Sequence, residues 1–349
     1  MRLPAALGSI LVVLVALLSA CGDEEAAALE SGDVVRARYD DQFKDGRDAD
    51  VTLPTGRLLI NTAAPVDGAE ADETRNRESV DAPSGAVLVP ITWQYDTWAS
   101  DRLDGIMQAT ATPLVDLVSN GERYRLPPPE RQAEAGESFY VVVDGDAEDR
   151  SLEIEFAGVT QTVDLTTGSR DEGEAAGLYD INDVKLRKKA CDEEVAWFDT
   201  LTTAAEFRCD LVGPVLTPYA AGEWAPEGSV WLALTLRLEM RVFGETNRLG
   251  GGARFVATSV KVRPGIDDEA PVFTLSTEDE ADVCPLTARA SCGWSKHLVF
   301  EVPADDGEQG PLDVKASYRL LLGNSWNNYD PPRRQTVSAK ESIKLWSDR

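Results

Sequence analysis

The sequence predicts an all-β protein, and three observations support this prediction. Apolar residues recur at every second position through 230–242 and again through 312–322. A strand places such a set on one face of a sheet, whereas a helix would scatter it around the helix axis. Asn120-Gly121 lies between two short apolar segments, which is the strongest short hairpin signal in a sequence. No segment shows an amphipathic helical period over three turns.

The first half of the chain carries the same strand pattern in shorter segments. Residues 115–118 and 123–126 flank the Asn-Gly turn. Residues 152–156 alternate between apolar and polar side chains, and Ala157-Gly158 then turns the chain into 159–165. Each of these segments has the length and alternation of a strand that is buried on one face.

The two halves also resemble each other. In each half, a strand that carries tryptophan is followed by an alternating strand, an acidic turn and a second alternating strand. These segments are 86–93, 139–143, 144–150 and 152–156 in the first half, and 230–238, 298–302, 303–310 and 312–316 in the second. Long loop-rich stretches separate the paired segments, as strand crossings in a Greek-key sandwich require. We therefore predict two tandem immunoglobulin-like β-sandwich domains; the alternative is a chance similarity among β-rich segments.

The N-terminus has the features of an export signal. Arg2 precedes an apolar run at 10–18 that is too short to span a membrane comfortably, and the run leads into Leu18-Ser19-Ala20-Cys21. This stretch resembles the lipobox of bacterial lipoproteins, in which the cysteine receives a diacylglyceryl thioether and becomes the mature N-terminus after cleavage. The alternative is an ordinary secretory signal with a chance cysteine.

The lipobox resemblance implies an exported protein that is held on the outer face of a bacterial cell membrane by a lipid on Cys21. The acidic segment that follows has little to bury, and this composition predicts a flexible tether. The resulting organisation is a cleaved signal peptide at 1–20, a tether at 21–33, a first β-sandwich at 34–167, a linker at 168–190 and a second β-sandwich at 191–349.

The predicted layout resembles the immunoglobulin-like extracellular domains of bacterial surface lipoproteins, including families with no assigned function. This resemblance implies fold and location and transfers no catalytic site. We therefore expect a non-catalytic binding or adaptor module for an extracellular protein partner, with no cofactor. The alternative is a surface protein that binds a small ligand, a sugar or calcium, and a carboxylate-dependent hydrolase is the weakest of the three hypotheses.

The net charge of the chain limits the classes of partner that it can bind. Removing the signal takes away Arg2 alone among the charged residues and leaves 33 basic and 61 acidic residues, a net charge of −28. Nucleic-acid binding needs the opposite sign, so we predict no nucleic-acid partner. Anionic membrane lipids should likewise repel the folded part. Two acidic turns, 45–50 and 144–149, offer the hard oxygen ligands that calcium prefers, but solvated turn residues explain them equally well.

The four cysteines after Cys21 all lie in the second half, and an even number in an exported chain favours disulfides. Four cysteines allow three pairings, and sequence proximity favours Cys191–Cys209 and Cys284–Cys292. The alternative is a metal site that uses Cys284, Cys292 and His297, but its spacing is unlike that of zinc sites. We therefore predict no metal.

Other features that suggest chemistry have structural explanations. His297 is the single histidine, and no nucleophile motif accompanies it. Gly250-Gly251-Gly252 is not followed by the helix and lysine of a phosphate loop, so we interpret it as a chain reversal. Trp98 and Trp326 could stack on a sugar or anchor a partner if they are exposed, although most tryptophans in β-sandwiches lie in the core. We therefore predict no catalytic residue.

Overall fold

The computed structural model describes residues 28–97, 101–130, 136–183, 186, 188–191, 196–198, 202–277, 284, 291–304 and 309–346. About 60% of the chain is strand and 5% is helix, which confirms the predicted all-β sandwich class. The lipobox, Leu18 to Cys21, and Trp98 lie outside the described residues.

The first half forms two five-stranded antiparallel sheets whose apolar faces share one core. The order of the first sheet is β1-β9-β6-β3-β2, and that of the second is β12-β11-β10-β7-β8, while β4 and β5 pair separately. The strands are β1 Val34–Arg36, β2 Arg47–Leu53, β3 Gly56–Thr62, β4 Gly68–Ala69, β5 Val80–Asp81, β6 Ala86–Thr97, β7 Leu114–Ser119, β8 Glu122–Leu126, β9 Glu137–Asp144, β10 Arg150–Phe156, β11 Val159–Asp164 and β12 Arg170–Asp171.

The second half is built around one long strand, β18. β15 pairs along one edge of β18, while the other edge pairs first with β21 and then, near its end, with β19. The sheets that meet at β18 enclose a second core. The strands are β13 Lys188–Ala190, β14 Ala196–Phe198, β15 Thr202–Thr217, β16 Tyr219–Ala220, β17 Glu223–Trp224, β18 Ser229–Thr246, β19 Gly252–Ile266, β20 Phe273–Ser276, β21 Cys292–Pro303, β22 Leu312–Trp326 and β23 Arg334–Ile343.

The two halves share a pattern of strand pairing. In the first half, β6 pairs with β3 and β9, and β10 pairs with β7 and β11. In the second half, β18 pairs with β15 and β21, and β22 pairs with β19 and β23. β6, β9 and β10 of the first half thus correspond to β18, β21 and β22 of the second. These are the strands that the sequence similarity between the halves matches. The number of domains and their immunoglobulin-like topology stay predictions.

The strand and hairpin signals of the sequence correspond to observed elements. β18 and β22 cover the two periodic segments, with their alternate apolar residues buried. β7 and β8 form the hairpin at Asn120-Gly121, where both residues have a positive φ, 50° and 83°. Ala157-Gly158 makes the same kind of turn between β10 and β11, with φ values of 49° and 90°. Asparagine and glycine adopt this left-handed conformation at low cost, which explains the strength of the first signal.

The segment predicted as a linker packs between the two halves. It contains β12, β13 and the 3-10 helix Gly173–Asp183. Ala175, Leu178 and Ile181 are buried in the core of the first half, and their spacing of three matches the three residues per turn of a 3-10 helix. At Gly177 an added β-carbon would lie 3.0 Å from the ring of Pro218, so this helix closely contacts the second half.

A second short helix, α1 (Asp101–Met107), also connects the halves. Ile106 and Met107 are buried, and their carbonyl oxygens accept hydrogen bonds from the N–H groups of Ala221 and Gly222, at 2.9 and 2.8 Å. The turn between β16 and β17 thus satisfies carbonyls that a helix end otherwise leaves unpaired. Of the helical segments in the described ranges, neither has the length and apolar character to cross a bilayer.

Aromatic side chains complete the contact between the halves. Phe156 of the first half meets the ring of Tyr219 edge-on at 5.9 Å, and its carbonyl accepts a hydrogen bond from the indole N–H of Trp224 at 3.1 Å. Trp231 is buried in the same core and packs edge-on against Phe273 at 5.5 Å. We call Phe156, Tyr219, Trp224 and Trp231 the aromatic junction. Because of this junction, one apolar core contains residues of both halves.

Tyr140, which is buried, and Tyr179, which is half-buried, make the free energy of unfolding decrease at alkaline pH. Burial raises the pKa of Tyr140 and of Tyr179 to about 12. In an unfolded chain a tyrosine ionises near 10, so the stability linked to these groups is present below pH 10 and is lost as the pH rises towards 12. We expect the phenolate absorbance at pH 11 to be lower in native than in urea-unfolded protein. Tyr179→Phe should reduce this difference, and equal absorbance of the two states would contradict the assignment.

Candidate functional site: a basic sheet face

A cationic surface covers the outward side of β19, β22 and β23. We call it the basic face, and it consists of Lys261, Arg263, Lys315, Arg319, Arg334 and Lys340. All six side chains are exposed. Arg263, Lys315 and Lys340 lie directly opposite one another on the three adjacent strands, so they form a row of three cations.

Strand alternation places these cations on one side. In β22, Val314, Ala316 and Tyr318 are buried in the second core, so Lys315 and Arg319 point away from it. β23 buries its residues at 337, 339, 341 and 343, which turns Arg334 and Lys340 outward. In β19 the register pairs 261 and 263 with outward positions of β22.

The six cations differ from most basic residues of the first half in having no acidic partners. None of them forms an ion pair within the described part of the chain. Asp313, near the start of β22, is the one acidic residue at the outward positions of these three strands. Since like charges on directly opposite residues destabilise a sheet, the row of three cations lowers the stability of the fold. This arrangement therefore favours a role in binding anions.

Hydroxyl groups lie between the cations. Ser317 and Ser338 are opposite each other on β22 and β23, with their Oγ atoms 3.1 Å apart. Thr336 lies opposite Arg319 on the neighbouring strand. The outward surface thus combines hydroxyl donors with positively charged donors, and phosphate oxygens accept hydrogen bonds from both kinds of group.

The end of the basic face nearest the loop after β19 forms a groove of about 470 Å³. Arg263 and Lys315 line this groove together with Asp268 and Asp313. The two carboxylates moderate the positive charge of Arg263 and Lys315 at this end.

The first half packs on the opposite side of the second half. Trp231 and Ala233 of β18 point away from the second core and are buried in the core of the first half. Val299 of β21 is likewise buried in the core of the first half. The sheet containing β15, β18 and β21 therefore separates the first half from the core beneath the basic face. The basic face and the first half lie on opposite sides of the second half.

The first acidic turn, 45–50, is engaged in internal contacts. The carboxylate of Asp50 accepts hydrogen bonds from Nε of Arg57 and Nη1 of Arg170, both at 3.0 Å. Asp48 accepts a hydrogen bond from the side-chain amide of Asn61. A shallow groove of about 350 Å³ is lined by the two aspartates together with Arg57 and Asn61, whose side chains already bind the carboxylates. The groove therefore does not present the cluster of unshared oxygens that calcium needs.

The second acidic turn, 144–149, is held by local hydrogen bonds. The N–H of Asp144 donates to the Tyr124 hydroxyl at 3.1 Å, and the Asp144 carboxylate accepts from Ser31. Within the turn, the N–H of Glu148 donates to Asp146 Oδ1 at 3.1 Å. These contacts define a turn whose remaining carboxylate oxygens face solvent.

The cysteines pair as the sequence favoured. Cys191 is joined to Cys209 and Cys284 to Cys292, with Cα–Cα distances of 5.3 and 4.0 Å. The alternative metal site would need the thiolates of Cys284 and Cys292, and a disulfide does not offer them. His297, its third proposed ligand, is buried between the two halves.

His297 has a structural position. Its Nδ1 is 2.8 Å from the Thr235 hydroxyl on the neighbouring strand. On its other side, a β-carbon added at Gly105 of α1 would lie 2.9 Å from Nε2. The imidazole therefore fills the space between α1 and the second half, and the glycine permits this close approach.

The glycine-rich loop is a chain reversal, as predicted. Asn247 Oδ1 accepts hydrogen bonds from the N–H groups of Leu249 and Gly251, at 3.0 and 2.9 Å, between β18 and β19. Trp326 lies over the loop, because a β-carbon at Gly252 would lie within 3 Å of the indole ring. This tryptophan is half-buried by the loop, so only part of its ring faces solvent.

Sequence reasoning missed the basic face, although each strand contains its signal. The outward residues of β22 include Lys315 and Arg319 at alternate polar positions, but the residues opposite them come from segments about 20 and 50 positions away. Only the strand register shows that they adjoin. Comparison of the chain with models of protein families, with curated proteins and with solved structures finds no match.

Proposed function

We propose that this chain is an exported lipoprotein, anchored by a lipid on Cys21, that acts as a non-catalytic binding or adaptor module for an extracellular protein partner. The observation that carries the proposal is the pairing of cysteines. Of five cysteines, four form two disulfides, and Cys21 within the lipobox is the one that remains. Disulfides persist outside the reducing cytoplasm, so the pairing agrees with export.

The charge of the first half supports a binding role. Residues 34–167 contain 26 acidic and 12 basic side chains. A surface of this sign attracts basic partner surfaces and increases the rate at which they associate. The only histidine is engaged between the halves, so it is not positioned as a general base at the surface.

The anchor is tested by fractionating cells that express Cys21→Ser. Because two acyl chains hold a protein on a bilayer far more strongly than one, we expect the wild-type protein to sediment with membranes. The Cys21→Ser protein, which cannot form the thioether, should appear in the exported soluble fraction after a high-salt wash. The matched control is Cys284→Ser/Cys292→Ser, which removes two cysteines and should stay with the membranes. Recovery in the washed membranes of Cys21→Ser protein that has lost residues 1–20 would contradict the proposal.

A further inference from the structure

We propose that the basic face binds the anionic headgroups of a lipid bilayer, so that the second half lies against the membrane and the first half points away from it. The identity of that bilayer as the one holding Cys21 rests on the proposed function. The binding itself does not require the lipid anchor.

The arrangement of the cations fits a planar partner. They occupy three strands that are about 4.8 Å apart, and outward residues repeat every 6.8 Å or so along each strand. The row of Arg263, Lys315 and Lys340 runs across the strands, while Lys261, Arg319 and Arg334 spread the charge along them. A linear polyanion would be matched by a single track of cations. A two-dimensional array on an exposed sheet face matches a surface of headgroups.

The distribution of charge over the whole chain favours an orientation in which the basic face meets the membrane. The first half, with its excess of 14 acidic residues between 34 and 167, lies on the side of the second half opposite the basic face. At physiological ionic strength, charges are screened beyond about 8 Å. The surface nearest the bilayer therefore determines the interaction, and the net charge of the chain does not prevent binding through this face.

The last residues of the predicted tether pack on the first half. Leu29 contacts the small core that contains Tyr140, and the N–H of Gly32 donates to the Val142 carbonyl at 2.8 Å. The eight residues before this docked segment, 21–28, reach at most about 28 Å when extended. That length is a little greater than the radius of gyration of roughly 20 Å expected for a compact chain of this size. The anchored chain can tilt within this reach, and the binding test of the basic face therefore uses the chain without its lipid.

The experiment measures vesicle binding by the chain exported with Cys21→Ser, which carries no lipid. Vesicles of equal parts phosphatidylglycerol and phosphatidylcholine are compared with vesicles of phosphatidylcholine alone. We expect binding to the anionic vesicles only, and weaker binding as salt increases. Since each cation near an anionic surface contributes roughly fivefold to the affinity, Arg263→Gln/Lys315→Gln/Lys340→Gln should bind about a hundredfold more weakly.

A matched control removes three exposed cations from the first half: Arg36→Gln/Lys44→Gln/Arg77→Gln. It changes net charge by the same amount and should bind anionic vesicles like the parent chain. The variant of the basic face should melt at the same temperature as the parent chain or higher, because it removes repulsion between opposite residues. Equal binding by the two variants, no preference for anionic vesicles, or binding to soluble polyphosphate but not to vesicles would overturn the proposal. None of these outcomes depends on lipidation of Cys21.

Discussion

Replacing Trp231 by alanine should lower the free energy of unfolding by about 3–5 kcal/mol, the usual loss for a large buried aromatic side chain. Trp231 is 3% exposed, and its indole N–H donates to the carbonyl of Glu223 at 3.1 Å. The variant loses the apolar contacts and leaves that carbonyl without its donor. Urea unfolding followed by far-ultraviolet circular dichroism and by tryptophan fluorescence measures the change.

The same variant tests whether the halves unfold together. Trp231 belongs to the second half by sequence but lies in the core that is centred on the first half. We therefore expect one transition, shifted equally in both signals. The control is Trp346→Ala, which removes a tryptophan that is 39% exposed and should have a much smaller effect. Two separate transitions, with one of them unchanged by Trp231→Ala, would show that the halves are independent.

Removing the Cys191–Cys209 disulfide should lower the free energy of unfolding by about 3 kcal/mol in the chain-entropy model, because the bond closes a loop with a sequence separation of 18. It attaches the segment after β13 to β15, at the edge of the sheet. The appropriate variant is Cys191→Ala/Cys209→Ala, measured by urea unfolding under non-reducing conditions.

The second disulfide provides the comparison. Cys284–Cys292 closes a loop with a separation of 8, so Cys284→Ala/Cys292→Ala should lose about 2.5 kcal/mol in the same model. A larger loss for the Cys284–Cys292 variant would contradict this ranking.

The sequence predicted the strands well because their pattern depends on burial of one face. In β18 the residues between the apolar ones become more polar along the strand, from Ala233 through Thr235 to Arg241. The structure explains this gradient. The start of β18 is covered on its outer side by the first half, whereas Arg241 is exposed. The gradient thus marks the limit of the contact between the halves, which the sequence alone did not reveal.

The contact itself was harder to predict, since it depends on short elements. The 3-10 helix at 173–183 repeats its apolar residues every three positions, so a search for a helical period of 3.6 does not find it. Helix α1 has seven residues, too few for a periodic pattern. The basic face was missed for another reason: net charge is a single number and does not report how charges are distributed. The row of Arg263, Lys315 and Lys340 depends on strand register across distant segments.

The intact mass of the protein extracted from membranes tests the proposed anchor most directly. We expect a chain that begins at Cys21, carries the added mass of a diacylglyceryl group on that residue, and lacks four hydrogens because of its two disulfides. Such a mass would establish both the lipid anchor on Cys21 and the pairing of the other cysteines. A mature chain that begins at another residue, or that keeps an unmodified thiol at Cys21, would contradict the account.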